Sequence, residues 1–170
     1  TIENWNYGVG IYNLDMTEAF DRVLISAREK GVKVQLCFDS FTALSTGEQF
    51  YGQFHSCSIY NEQYGGYIGK PEEFWTSEGC VKTYKNRVRY LMARCGWDTN
   101  IAVWELMNEV NGTDGMREKK TQKQCAAWCE EMRAYIRSLD PYDRPVGISY
   151  AEGDTLQGYE TLLKKSGLDY

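Results

Sequence analysis

Asn108 and Glu109 stand side by side at the point where a short apolar run of the chain ends. The run begins at Ile101 with β-branched and aromatic side chains, a composition typical of a buried strand. In α/β barrels the active site lies in the loops at the carboxyl ends of the strands. The sequence therefore predicts that an amide and a carboxyl group meet a substrate above this strand. The alternative is that Glu109 is only a solvated charge at the strand end.

The length and charge of the chain restrict what it can be and what it can bind. Its 170 residues suffice for one domain with a sizeable core. They fall short of the roughly 250 residues of a complete eight-stranded α/β barrel. Thr1 is not an initiator Met and no signal-like segment follows it, so we expect the chain to begin within a longer protein. The net charge of -5 and the absence of a Lys/Arg block argue against nucleic acid or a membrane surface as partner.

The cysteine and histidine content argues against metal and thiol chemistry. The chain has 6 Cys and 1 His, without a C-x-x-C pair, so a zinc site of the usual spacing is not expected. Cys125 and Cys129 are interpreted as small core residues of a helix. Cys57 and Cys80 flank a long loop and are the one pair placed for a possible disulfide. Because His55 is the only histidine, catalysis by a Ser-His-Asp or Cys-His arrangement is largely excluded unless His55 itself is the base.

Strands alternate with amphipathic helices along the chain. The first helix is expected to start at a cap formed by Asp15 and to stop at Gly31. Its expected buried apolar face consists of Met16, Phe20, Val23, Leu24 and Ala27. The expected elements are a loop over residues 1–12, helices over 15–31, 77–96, 121–139 and about 155–165, and strands over 32–38, 100–107 and 145–149. This order predicts a parallel α/β sheet with right-handed crossovers. A doubly wound sheet and a closed barrel share it.

Residues 41–76 form a long irregular segment that is rich in aromatic side chains. Segments of this length inside a domain are usually functional or disordered, and the aromatic content argues against disorder. We expect the segment to form a wall of a binding site, on which sugar faces can stack. The alternative is a loop that packs its own rings. Its ring-bearing residues are Phe50, Tyr51, Phe54, His55, Tyr60, Tyr64, Tyr67, Phe74 and Trp75.

The region around Asn108 and Glu109 resembles a known family. Residues 84–110 contain the run Trp-Glu-Leu-Met-Asn-Glu and resemble the third helix and fourth strand of clan A glycoside hydrolases, especially family-5-like cellulases and mannanases. Residues 12–39 resemble the second helix and third strand of the same barrels. Residues 71–76 resemble the loop that leads into the third helix. The resemblance covers nearly the whole chain.

The resemblance implies an α/β fold of the (β/α)8 TIM-barrel type, of which residues 1–170 form one partial catalytic domain with strands three to five and their helices. It implies a retaining hydrolase of β-linked polysaccharide such as mannan or glucan. Glu109 would be the general acid/base, and Asn108 would hydrogen-bond a sugar hydroxyl. The nucleophile, a second Glu after the seventh strand, has no counterpart by motif in this chain, although such chemistry needs two carboxyl groups.

Further expectations complete the predicted site. Candidate substrate-binding residues besides Asn108 are Asp39, His55, Tyr60, Tyr64, Tyr67 and Trp75. No cofactor or metal is expected. The partners would be an oligosaccharide or polysaccharide and the remaining barrel strands, from the same protein or from another chain. The substrate class favours a secreted or cell-surface protein.

Several alternatives stay open at this point. Glu105 is interpreted as a structural carboxylate deeper in the barrel, which has to be paired or protonated. Asn111 begins an Asn-Gly-Thr glycosylation motif that is interpreted as a chance match, because a glycan would crowd the site. A non-catalytic carbohydrate-binding or scaffold protein with a barrel-derived fold is the main rival function. A small doubly wound α/β domain is the rival fold.

Overall fold

The computed structural model describes residues 2–4, 6–47, 51–151 and 158–170, and no side chain at Leu163. Thr1, Trp5, Phe50, Glu152 and Thr155 therefore lie outside the described residues. The strands are β1 (Val34–Cys37), β2 (Ile101–Glu105) and β3 (Val146–Gly147). The helices are α1 (Leu14–Glu29), α2 (Phe54–Cys57), α3 (Glu78–Cys95), α4 (Lys119–Leu139) and α5 (Glu160–Lys165).

The described strands form a parallel sheet in the order β1-β2-β3. Trp104 of the central strand β2 lies opposite Leu36 on one side and Val146 on the other. α3 connects β1 to β2 and α4 connects β2 to β3, as parallel strands require a crossover. The predicted α/β class with a parallel sheet is therefore confirmed.

Local sequence signals account for α3. The Ser77 side chain accepts a hydrogen bond from the backbone N–H of Cys80 at 3.4 Å, which satisfies one amide that the first turn leaves unpaired. Gly96 ends the helix, as predicted. The buried side chains of α3 include Tyr84, Val88 and Leu91, which form part of the core. α4 likewise buries the predicted core residues Cys125 and Cys129, together with Trp128, Met132 and Ile136.

One expectation for α1 is wrong and a second is confirmed only in part. Asn13, not Asp15, caps the helix, because its side chain accepts a hydrogen bond from the backbone N–H of Met16 at 3.1 Å. The expected buried apolar face is buried only in part: Leu24 is 3% exposed and Phe20 packs against the core, whereas Met16 is 47% and Val23 57% exposed. Helical periodicity shows which side chains share a face, but burial depends on a neighbouring element.

Residues 41–76 contain more regular structure than expected. The segment forms 3-10 turns at Phe41–Leu44, Glu62–Tyr64 and Pro71–Thr76 in addition to α2. Several of its rings pack into the core. The Phe74 ring centroid lies 4.7 Å from that of Tyr60, 5.0 Å from that of Trp75 and 5.4 Å from that of Trp128 on α4.

The cysteines form no disulfide in this structure. All six are free thiols, so the considered pairing of Cys57 with Cys80 is wrong. Cys125 and Cys129 are fully buried on α4 with their sulfurs 4.0 Å apart, which confirms them as small core residues. Among the described helices, none is long and apolar enough to cross a membrane.

A buried ion pair links the amino-terminal ends of β2 and β3. Arg144 Nη1 lies 3.0 Å from Asp140 Oδ1, and both side chains are almost fully buried. The same guanidinium donates to the carbonyl oxygens of Gly96 at 2.9 Å and Asp98 at 3.0 Å. Asp140 Oδ2 also accepts from the Trp104 indole N–H at 2.8 Å. The pair therefore ties together the two loops that lead into these strands.

We predict that Asp140→Ala lowers the free energy of unfolding by about 3 to 5 kcal/mol, because it leaves the Arg144 charge buried without its partner. Urea denaturation measures this loss. Glu130→Ala removes an exposed carboxylate of α4 and is expected to change stability by less than about 0.5 kcal/mol. Equal small effects of the two substitutions would contradict the structural role of the pair.

Candidate active site

The carboxyl ends of the three strands remain hydrogen-bonded beyond the strands themselves. The backbone N–H of Asn108 donates to the Asp39 carbonyl oxygen at 2.9 Å, and the N–H of Phe41 donates to the Asn108 carbonyl oxygen at 3.0 Å. On the other side, the N–H of Val110 donates to the Ser149 carbonyl oxygen at 3.0 Å. The residues that follow β1, β2 and β3 therefore meet at one edge of the sheet.

Glu109 lies at the centre of this edge. Its backbone is left-handed, with φ 52° and ψ 49°, a conformation that is uncommon for residues other than Gly, Asn and Asp. Its backbone N–H donates to the Ser149 hydroxyl oxygen at 2.9 Å. The side chain is half-buried, and no described residue forms a hydrogen bond or ion pair with its carboxylate. The carboxyl group is therefore available for a ligand.

A polar network lies beneath Glu109 on the inner face of the sheet. The Ser149 hydroxyl accepts from Asn108 Nδ2 at 3.2 Å and donates to Glu105 Oε1 at 2.5 Å. Gln35 Nε2 donates to the other Glu105 oxygen at 2.7 Å. Glu105 is buried and hydrogen-bonded, which agrees with its interpretation as a structural carboxylate. Sequence reasoning did not identify Ser149; its one signal is its place at the end of a predicted strand.

Asp39 lies beside Asn108, but its carboxylate already has partners. Arg87 Nη1 lies 2.7 Å from Asp39 Oδ2, and the Tyr60 hydroxyl donates to the same oxygen. Arg87 also pairs with Glu3 at 2.8 Å. Burial raises the pKa of the Tyr60 phenol well above its ordinary value, with Arg87 acting in the opposite direction. Tyr60 thus stays a neutral donor, and a role of Asp39 in substrate binding stays a prediction.

The predicted aromatic wall separates into core rings and surface rings. Tyr60 is 1% and Trp75 3% exposed, so the expectation that these rings offer a face to a sugar is wrong. The number of rings in a segment does not show which of them other residues cover. In contrast, Tyr67 is 53% exposed, and its ring packs against Gly79 in the space that a Cβ atom at this position would take. His55 is exposed, and Tyr64 donates its hydroxyl to the His55 carbonyl oxygen at 2.7 Å.

The glycosylation motif is not accessible in this fold. Asn111 is 8% exposed, and its side-chain oxygen accepts from the backbone N–H of Ala151 at 2.8 Å. A glycan on Asn111 would require this contact to open. The interpretation of the motif as a chance match agrees with this placement.

The curated relatives of the chain are mannan endo-1,4-β-mannosidases. The probable mannan endo-1,4-β-mannosidase C of Aspergillus terreus is 29% identical over 147 residues, which are 82% of this chain and 33% of the relative. Mannan endo-1,4-β-mannosidase 7 of Arabidopsis thaliana is 28% identical over 143 residues, 79% of this chain and 31% of the relative. No model of a protein family matches. The chain spans about a third of the length of the curated relatives it matches.

Solved structures of mannanases share the fold. The endo-1,4-β-D-mannanase of Thermotoga petrophila matches with a TM-score of 0.66 and 21% identity, over 95% of this chain and 51% of that one. The endo-1,4-β-mannanase of Rhizomucor miehei gives 0.65 and 16%, over 94% and 49%. The sheet and helices therefore correspond to about half of a mannanase barrel. Together with the curated relatives, these matches confirm the resemblance to family-5-like glycoside hydrolases.

We predict that Glu109→Gly raises the free energy of unfolding by about 1 kcal/mol, because glycine adopts the left-handed conformation without strain. No described contact of the carboxylate is lost. Chemical denaturation measures the change. Glu130→Gly in the middle of α4 is the matched control and is expected to lower stability by about 1 kcal/mol. A loss of stability at both positions would show that the backbone at Glu109 is not strained.

Proposed function

We propose that the chain is the central part of a retaining glycoside hydrolase that cleaves β-1,4-linked mannan, with Glu109 as its general acid/base. The observation that carries the proposal is the position of Glu109 at the carboxyl end of the central strand. Its carboxylate forms no hydrogen bond or ion pair with a described residue. The names of the curated relatives support mannan as the substrate. β-Glucan is the alternative polysaccharide.

In this proposal Glu109 protonates the oxygen of the departing sugar. Asn108 has its Nδ2 directed at Ser149, so its Oδ1 remains to accept a hydrogen bond from a sugar hydroxyl. A second carboxylate, about 5 to 5.5 Å from Glu109 in retaining enzymes, attacks the anomeric carbon and forms a covalent glycosyl-enzyme. Glu109, now deprotonated, takes a proton from the water that hydrolyses this intermediate. We propose that the nucleophile is a Glu after the seventh strand, outside the 170 residues.

Further strands are proposed to complete the barrel on both sides of the sheet. Beside β1, the inward-facing Gln35 and Cys37 are exposed. Next to β3, the backbone N–H of Asp169 donates to the Val146 carbonyl oxygen at 2.9 Å, as a neighbouring strand would. The Tyr170 ring packs against Gly147. In the proposed barrel β1, β2 and β3 are strands three, four and five, and His55, Tyr64 and Tyr67 flank the substrate.

The test of the proposal is Glu109→Gln in the intact enzyme. The amide keeps the shape of the side chain and removes the proton that it donates. We expect hydrolysis of mannan to fall by about 100-fold or more, because acid catalysis contributes on the order of 10²–10⁴ to such reactions. An activated aryl β-mannoside, whose leaving group needs little protonation, should lose far less in the glycosylation step. Rates on both substrates measure the difference.

Glu130→Gln is the matched control and should leave both rates unchanged. Equal losses of Glu109→Gln on the two substrates would contradict the assignment of Glu109 as the acid. Sugar binding without turnover by the unmodified intact protein would favour the rival carbohydrate-binding function.

A separate prediction concerns the 170 residues expressed alone. Open sheet edges and exposed apolar side chains promote association between chains. Large exposed apolar residues include Ile11, Leu14, Met16, Val23, Ile25 and Val32. We expect the isolated chain to self-associate and to show no measurable hydrolysis of mannan, β-glucan or an aryl glycoside, because the proposed nucleophile lies outside these residues.

Light scattering and the three activity assays test this prediction. A stable monomer with turnover that Glu109→Gln abolishes would show that the nucleophile lies within these residues.

A further inference from the structure

The Ser149 hydroxyl uses its full hydrogen-bonding capacity at the site. A serine hydroxyl has one proton to donate and two lone pairs to accept with. Here the proton is directed at Glu105 Oε1 at 2.5 Å. The lone pairs accept the backbone N–H of Glu109 at 2.9 Å and the Nδ2 of Asn108 at 3.2 Å. The Ser149 side chain, which follows β3, therefore contacts both Asn108 and Glu109, the two residues with proposed roles in the reaction.

We infer that Ser149 is a positioning residue for the acid/base step, with its hydroxyl oriented by Glu105. The inference rests on the proposed function, because the position of the Glu109 carboxyl group matters for catalysis only if Glu109 is the acid/base. Ser149 itself touches neither the substrate nor the reacting atoms.

The left-handed backbone of Glu109 explains why such a residue is needed. A strained conformation persists only where its surroundings determine it, and the Glu109 N–H has the Ser149 oxygen as its acceptor. Without this contact the backbone can relax and turn the carboxyl group away from the glycosidic oxygen. A displacement of about 1 Å at a reacting group can cost on the order of 100-fold in rate.

Glu105 determines the direction in which the hydroxyl points. Its carboxylate can only accept, so the Ser149 proton turns towards it and the lone pairs turn towards the two donors. Gln35 donates to the second Glu105 oxygen and fixes the carboxylate from the opposite side. The same arrangement orients the Asn108 amide, with Nδ2 towards Ser149 and Oδ1 left for a sugar hydroxyl.

The experiment compares Ser149→Ala and Ser149→Thr in the intact enzyme, each on mannan and on an activated aryl β-mannoside. We expect Ser149→Ala to lower kcat/KM on mannan by about 10- to 100-fold and on the aryl glycoside by about 3-fold at most. Ser149→Thr keeps the hydroxyl and should stay within about 3-fold of the unmodified enzyme on both substrates. Ser138→Ala, which removes an exposed hydroxyl of α4, is the matched control and should change neither rate.

A cycle with Glu109→Gln tests whether Ser149 acts through Glu109. Once the donated proton is gone, adding Ser149→Ala should lower the mannan rate by less than about 2-fold, because residues that act through one another are not additive. Additive losses in the double variant would overturn the inference. So would equal losses of Ser149→Ala on both substrates, or a loss in Ser149→Thr as large as in Ser149→Ala.

The same measurements separate the inference from the proposed function. If Glu109→Gln lowers the rates on both substrates equally, the assignment of Glu109 as the acid is wrong, and the inference is wrong with it. If Glu109→Gln shows the expected difference between substrates and Ser149→Ala does not, only the inference is overturned.

Discussion

The hydrogen bonding of β2 on both sides is the constraint on which the rest of the structure depends. A buried backbone amide without a partner costs free energy, so the central strand of a parallel sheet needs neighbours in register along its length. Here the pairing continues past the strand end, where Asn108 bonds to Asp39 and Phe41. On the other side Val110 bonds to Ser149. Glu109, which lies between Asn108 and Val110, is therefore held at the carboxyl edge of the sheet, between the two neighbouring strands.

The two faces of the sheet have different roles. On the outer face, Trp104 is fully buried in the same core as the helix residue Tyr84, whose hydroxyl donates to the Leu106 carbonyl oxygen at 2.7 Å. On the inner face, Glu105 and Ser149 form a hydrogen-bonded base below Glu109. The apolar face supplies stability, because burial of large rings removes much apolar surface from water. The polar face orients the side chains of the site, because hydrogen bonds depend on direction and apolar contacts do not.

The sequence predicted the parallel sheet and most helix limits, although it misplaced the cap of α1, and it missed several features that depend on distant contacts. The limits of α3 follow from a Ser77 cap and a Gly96 stop, both readable within one turn of the helix. The burial of Tyr60 against Phe74 agrees with the alternative in which residues 41–76 pack their own rings, whereas the burial of Trp75 depends on Trp128 of α4, which lies far away in the sequence. Ser149 had only one signal in the sequence, its place at the end of a predicted strand, because its contacts arise only when the strand ends meet. The apolar face of α1 was predicted, but which of its side chains are buried depends on the packing of other elements: Leu24 is buried and Val23 is exposed.

The most direct test of the account is chemical rescue of Glu109→Ala in the intact enzyme. Removal of an acid/base leaves the glycosyl-enzyme without a base for water, and leaves space on the same face of the sugar for a small anion. With an activated aryl β-mannoside, azide should then accelerate turnover and give the β-mannosyl azide, which nuclear magnetic resonance identifies. Absence of rescue, or formation of the α-azide, would contradict the assignment of Glu109 as the acid/base of a retaining enzyme.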